Sequence, residues 1–214
     1  MARVPTAPSS RETGRAALAR LALAVAFVAG CAGRAVVADP THVAPLDADH
    51  GALAEDFNRA AASVRILVLA SPTCPDCLAG VATVRDEVLR DINDPALRLM
   101  VVWLPVLDDD DLAAAQKAAR SLHDPRVSQY WDDGRRLGEA MGVTLKIPRR
   151  HHAGFGFAWD VYLLYPRGAT WPAWLDAPPA PPFFMHQLSS LSTSPIPLLD
   201  ANALRDKVRA ALAR

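Results

Sequence analysis

Val64-Arg65-Ile66-Leu67-Val68-Leu69-Ala70 runs through Ser71-Pro72-Thr73 into Cys74-Pro75-Asp76-Cys77-Leu78-Ala79-Gly80-Val81. The first seven residues form a short β-branched and aliphatic run, the signature of a buried strand. Pro75 suits the first position of a helix, because its missing N–H would find no intrahelical partner there. Val81, Val84, Val88 and Leu89 then lay down an apolar stripe, so the spacing predicts a helix to about Asp91. Leu97-Arg98-Leu99-Met100-Val101-Val102-Trp103-Leu104 reads as a second buried strand. Strand, turn, helix and strand in that order make the βαβ half of a parallel sheet.

Downstream, Asp108-Asp109-Asp110-Asp111 opens an alanine-rich helix to about Leu122, with acids placed to complement the helix dipole. Four adjacent carboxylates could also hold a metal, but helix starts favour acids and the helix reading is preferred. Residues 127–141 are expected to form a second amphipathic helix that buries Tyr130, Trp131, Leu137 and Met141, with Gly142 as its C-cap. Residues 158–165 read as a third strand, Pro166-Arg167-Gly168 as a turn, and Ala169 to Trp171 as the start of an antiparallel return strand. Residues 172–199 hold seven prolines and no periodicity, as an ordered active-site loop or a flexible one would. Asp200 caps a final helix over 201–213, with Leu204, Val208 and Leu212 on one face.

Upstream, Leu53, Phe57 and Ala60 fall near helical spacing within 51–62, and the residues before them read as a loose tether. Residues 1–20 carry Arg3, Arg11, Arg15 and Arg20 against one acid, Glu12. A short apolar run, 21–29, follows, which is the layout of a secretory signal and too short to span a bilayer comfortably. It ends in Val28-Ala29-Gly30-Cys31, which resembles the bacterial lipobox. That resemblance implies lipidation of Cys31 after cleavage. An uncleaved signal anchor with Arg20 snorkelling, or an ordinary signal with Cys31 incidental, are the alternatives. Each places the domain outside the cytoplasm, where disulfides persist. The expected divisions are a signal at 1–30, a tether and lead-in helix at 31–60, and a domain at 61–214.

From about residue 60 onward the chain resembles the thioredoxin-like superfamily, most specifically at Cys74-Pro75-Asp76-Cys77. The resemblance implies a thioredoxin-like three-layer α/β/α sandwich with a central mixed sheet. Its implied activity is that of a thiol–disulfide oxidoreductase. A cysteine at a helix start sits near unsatisfied N–H groups that favour its thiolate, the nucleophile. A second cysteine three residues on can attack the mixed disulfide and release the partner. Cys74 is therefore expected to be exposed and to attack, and Cys77 to resolve. Disulfide-forming periplasmic oxidases of this superfamily pair proline with histidine between the cysteines. Here Asp76 takes the second place, and its carboxylate opposes a second negative charge on Cys74. A more reducing pair than in those oxidases is expected.

The chain departs from the superfamily at the cis-proline that lies beside the redox turn. Counting back from Gly168, that place falls on Asp160, after Trp159; the nearest upstream proline is Pro148, beyond Arg149-Arg150-His151-His152. Either Pro148 serves through an inserted loop or Trp159-Asp160 replaces the element, and both arrangements suggest a narrow partner. Asp160, if buried beside the thiols, could move their protons. It could equally be a strand-end residue bonded to a loop N–H.

Other classes are disfavoured by composition. The chain is 51% hydrophobic with a net charge of zero, and loss of residues 1–30 leaves 19 basic and 22 acidic residues, net −3. Nucleic acid needs a basic footprint. Three cysteines are too few for a disulfide scaffold. A structural zinc site needs two more ligands at matching spacing, whereas His151 and His152 are adjacent and no other cysteine lies in the domain. His151, His152 and His186 read as surface or satisfied histidines. No cofactor or resident metal is expected. The expectation is a monomeric, lipid-anchored oxidoreductase on the periplasmic face of a bacterial membrane. Its site would be Cys74, Pro75, Asp76, Cys77 and Asp160, acting on a protein thiol or disulfide partner. The rivals are a carrier holding copper(I) or mercury(II) through the dithiol, and an interaction domain with incidental thiols.

Overall fold

A computed structural model describes residue 39 and residues 41–148, 156–188, 191 and 195–214. Residues 36–214 group into one compact unit. Along the chain come β1 (Val43–Pro45), α1 (Gly51–Arg59), β2 (Val64–Ala70), α2 (Pro75–Thr83), β3 (Leu97–Trp103) and α3 (Leu112–Ala119). They are followed by β4 (Val127–Trp131), α4 (Arg136–Thr144), β5 (Val161–Tyr165), β6 (Phe183–His186) and α5 (Ala201–Leu212). A wider helical turn over Val84–Leu89 prolongs α2.

The strands form one sheet in the order β1-β4-β3-β2-β5-β6. The pairs β1–β4, β4–β3 and β3–β2 are parallel, and β5 runs antiparallel to both β2 and β6. This is the thioredoxin-like α/β/α sandwich with a central mixed sheet that the resemblance implied. All seven residues of β2 are buried, because helices cover both faces. Val64, Ile66, Val68 and Ala70 face α2, α3 and α5, while Leu67 and Leu69 face α1 and α4. Arg65 is the polar exception, at the end of β2 far from the redox turn. Its guanidinium donates to the carbonyls of Phe57, Ala169 and Pro166 at 2.8–2.9 Å and stacks on the Phe57 ring.

Four elements differ from expectation. Residues 127–131 are strand β4, not the first half of a helix. Both edges of β4 are paired, to β1 and β3, and all but Ser128 of its residues are buried, a place that its β-branched and aromatic residues suit. Its buried Gln129 accepts from the Trp103 indole at 3.0 Å and donates to the Ala119 carbonyl at 3.1 Å. Asp132 then ends the strand, and its carboxylate takes the Leu137 N–H at 2.8 Å to start α4. Gly142 does not cap α4, which runs on to Thr144. A Cβ there would meet the Gly156 carbonyl at 1.9 Å, so close packing explains that glycine. Residues 169–171 form no strand, because α1 competes for their backbone: Asn58 binds both the N–H and the C=O of Trp171, at 2.7 and 2.9 Å. The antiparallel neighbour of β5 is instead β6, inside the proline-rich stretch. Finally, the stretch read as a tether contributes β1, and α1 sends Leu53 and Phe57 into the core.

Candidate active site

The turn that carries Cys74 and Cys77 follows directly from β2. Ala70 closes the strand, and Cys74 takes the N-cap of α2 with Pro75 at the first helical position. The turn is fixed from below by hydrogen bonds. The Cys74 N–H donates to Ser71 Oγ at 3.1 Å, and Ser71 Oγ donates to Asp110 Oδ1 at 3.0 Å. The same oxygen accepts from the Thr73 N–H at 3.1 Å and the Thr73 hydroxyl at 2.6 Å. Asp110 Oδ2 accepts the N–H groups of Val106 and Leu107, both at 2.8 Å. Burial opposes the charge on Asp110, but these donors, Leu107 foremost, outweigh it and hold the carboxyl below its ordinary value. One carboxylate thus ties the loop after β3 to the turn of Cys74 and Cys77. The next acid, Asp111, is the true N-cap of α3, accepting from the Ala114 N–H at 2.7 Å.

The two cysteines are unbonded thiols in unequal surroundings. Cys74 keeps 7% of its surface, less than its expected exposure, and Cys77 keeps 0%. Cys74 Sγ accepts the Cys77 N–H at 3.4 Å, as the side chain at the N-cap of α2. Cys77 is different. Burial, then the charge of Asp160, push its thiol far above the ordinary value, and the Ser71 backbone only partly opposes them.

Asp160 stands immediately before β5 with 2% of its surface exposed. Its carboxylate accepts from the Tyr162 hydroxyl at 2.7 Å and from Gln187 Nε2 at 3.2 Å to each oxygen. The Cys77 thiol lies close enough to feel its charge. Burial raises the Asp160 pKa, the hydrogen bonds from Tyr162 and Gln187 oppose the rise, and the charge of Asp76 adds to it. The place next to α2 therefore belongs to Asp160 and not to Pro148, an exposed residue four positions beyond α4. The backbone of Asp160 has φ 51°, where a proline, confined near −65°, could not stand.

Pro75 and Asp76 are exposed in the first turn of α2, and the Asp76 carbonyl accepts from Gln187 Nε2 at 2.8 Å. His186 is a satisfied buried histidine: Nδ1 accepts the Leu188 N–H at 2.9 Å, so Nε2 carries the proton towards the Ile196 carbonyl at 3.2 Å. Burial lowers its pKa. Cys31, His151 and His152 lie outside the described residues. Ser71, Asp110, Tyr162 and Gln187 were not foreseen. Asp110 is hidden in a run of four aspartates, and nothing local marks Gln187. Among the described residues no three His, Cys, Asp or Glu side chains group as a metal site, and no helix is long and apolar enough to cross a membrane.

The chain matches no family model and no curated protein. Among solved structures it is similar to a thioredoxin-like protein in its oxidized form, at 16% identity and a TM-score of 0.42, over 71% of this chain and 78% of that one. It is also similar to a secreted Mycobacterium tuberculosis disulfide oxidoreductase homologous to E. coli DsbE. The identity there is 13% and the TM-score 0.40, over 73% of this chain and 85% of that one.

Proposed function

We propose that this domain catalyses thiol–disulfide exchange with a protein partner. One observation carries the reading: two thiols of one turn stand in opposite environments, Cys74 at the helix start taking an N–H and Cys77 fully buried beside a carboxylate. The Cys74 thiolate attacks a partner disulfide, R–S–S–R′, forming Cys74–S–S–R and expelling R′–S⁻. Asp160, the buried carboxyl whose charge acts on Cys77, takes the Cys77 proton as a general base. The Cys77 sulfur then attacks Cys74 Sγ, closing the Cys74–Cys77 disulfide and releasing R–S⁻. The partner gains two electrons, the domain loses two, and a dithiol donor resets it.

Substitution separates the roles. Cys77→Ser should accumulate covalent partner adducts on Cys74, seen as reductant-sensitive bands, and Cys74→Ser should accumulate none. Adducts on the Cys74→Ser protein would reverse the assignment. Carriage of copper(I) or mercury(II) is less well supported, because it needs both sulfurs deprotonated and the burial of Cys77 opposes that.

The site is proposed to work as a monomer at the periplasmic face of a bacterial membrane, held there by acyl chains on Cys31. The support is Val28-Ala29-Gly30-Cys31 after a charged and then apolar start. Two or three chains suffice for a stable anchor, one being marginal. Mass spectrometry of membrane-derived protein should find an acylated N-terminus at Cys31. A mature protein that begins elsewhere would refute the anchor.

A further inference from the structure

Asp160 is gripped twice by a single residue that lies just beyond β6. The Gln187 N–H donates to the Asp160 carbonyl at 3.0 Å, pinning the backbone where φ is 51°. Its side-chain nitrogen then faces three acceptors together: the Asp76 carbonyl at 2.8 Å and both Asp160 carboxylate oxygens at 3.2 Å. An amide oxygen in that spot would face three oxygens, so the amide orientation is dictated by chemistry. One hydrogen goes to the redox helix and the other is shared by the carboxylate.

We propose that Gln187 is the positioning residue for the proton transfer. It locks the Asp160 carboxylate to the first turn of α2, so that the base keeps a fixed relation to Cys77 through the second half of the exchange. The inference rests on the assignment of Asp160 as the base.

The surroundings assign the work further. Asp160 Oδ1 accepts from both Tyr162 and Gln187, whereas Oδ2 accepts from Gln187 alone among the described residues. Oδ2 therefore keeps the more available lone pair for the Cys77 proton. The titratable groups facing Asp160 come from three elements: Asp76 and Cys77 on α2, Tyr162 on β5 and His186 on β6. Asp76 works against ionisation of Asp160 by like charge. His186 brings no proton to the site, since its Nε2–H is committed to Ile196. Gln187 and Tyr162 are the two neutral donors that counter burial and keep the carboxylate able to accept. Without the Gln187 amide the base would lose one of those donors together with its tie to the helix. Deprotonation of Cys77 would then be both slower and confined to higher pH.

The test uses the reduced protein and one equivalent of 5,5′-dithiobis(2-nitrobenzoate), which gives up two coloured thiolates in turn. The first is expelled when Cys74 attacks and the second when Cys77 closes the intramolecular disulfide. In Gln187→Leu the first release should keep its rate. The second should slow roughly tenfold near neutral pH, as loss of a hydrogen bond to a charged group predicts, with its pH onset moved upward. Gln187→Glu, of the same size but bearing an acceptor, should slow the second release at least as much. In an Asp160→Asn background, Gln187→Leu should add no further slowing. A second release in Gln187→Leu with wild-type rate and pH onset overturns the proposal. So does equal slowing of both releases, or the same slowing with and without Asp160, each of which marks a merely structural role. If Asp160→Asn itself leaves the second release unchanged, the base assignment fails and the positioning role falls with it.

Discussion

The hydroxyl of Tyr162 stands 1.7 Å from the point where a Cβ on Gly80 would lie. The redox helix can therefore rest on the sheet only because its sixth residue has no side chain, and the space so left admits the phenol that donates to Asp160. Gly80→Ala should drive the phenol away and break that hydrogen bond. Overpacking and the lost bond together should cost about 2–4 kcal/mol, read as a lower midpoint in urea unfolding. Tyr162→Phe in the Gly80→Ala background should recover only part of the packing cost, since it removes the clashing oxygen but leaves the ring carbon 2.7 Å from the new Cβ. No recovery would show that the helix moves instead.

Asp160 should impair stability while serving the chemistry. Burial raises its folded pKa, so the native state binds the proton more tightly than the unfolded chain. Its contribution is complete below the unfolded value of about 3.9 and is lost as pH rises through the folded value. Asp160→Asn has no charge to bury, and asparagine tolerates positive φ at least as well. The variant should be more stable than wild type at pH 7, with the gap narrowing as pH falls towards 4. Equal pH dependence in the two proteins would mean that the carboxylate is not destabilised by its site.

Asp110 should behave in the opposite way. Its folded pKa lies below the ordinary value, so its stabilisation is present above the unfolded value and fades as pH falls through the folded one. Asp110→Ala strands the hydroxyls of Ser71 and Thr73 and the N–H groups of Thr73, Val106 and Leu107. A loss of about 3 kcal/mol at neutral pH is expected, shrinking under acid conditions. Thermal unfolding at a series of pH values measures both parts. A loss that stays constant into acid would assign it to packing alone.

Asp76 bears on the direction of electron flow. It is exposed in the first turn of α2, one residue before Cys77. Asp76→His exchanges a negative neighbour for one that can be positive, which favours the reduced, thiolate-bearing form. The reduction potential should rise by about 30 mV, equivalent to about 1.4 kcal/mol for a two-electron couple. Equilibration against a glutathione redox series reads the value. A fall in potential would contradict the electrostatic reasoning.

Much of this was legible in the chain. The strand Val64–Ala70, the proline-started helix and the strand Leu97–Trp103 need only hydrophobic run length and one proline to be read. These elements are local, and their buried faces leave a continuous apolar signal. Residues 127–141 misled because Tyr130, Trp131, Leu137 and Met141 satisfy a helical spacing that in fact spans two elements. Whether Val127–Trp131 is strand or helix is decided by neighbours on either side, β1 and β3, and no window of sequence contains them. The same holds at Ala169–Trp171, where a side chain from α1 takes the backbone bonds that a return strand would have made.

The sequence by itself determined that a dithiol sits at a helix start after a buried strand, because proline, cysteine spacing and apolar run act over a few residues. The surroundings of each sulfur arise only in the folded chain. Asp110 lies 36 residues beyond Cys74, Asp160 lies 83 beyond Cys77 and Gln187 lies 27 further on, yet all converge on one turn. Burial and hydrogen bonding, which set where a proton can reside, are properties of that convergence, and sequence separation carries no trace of them.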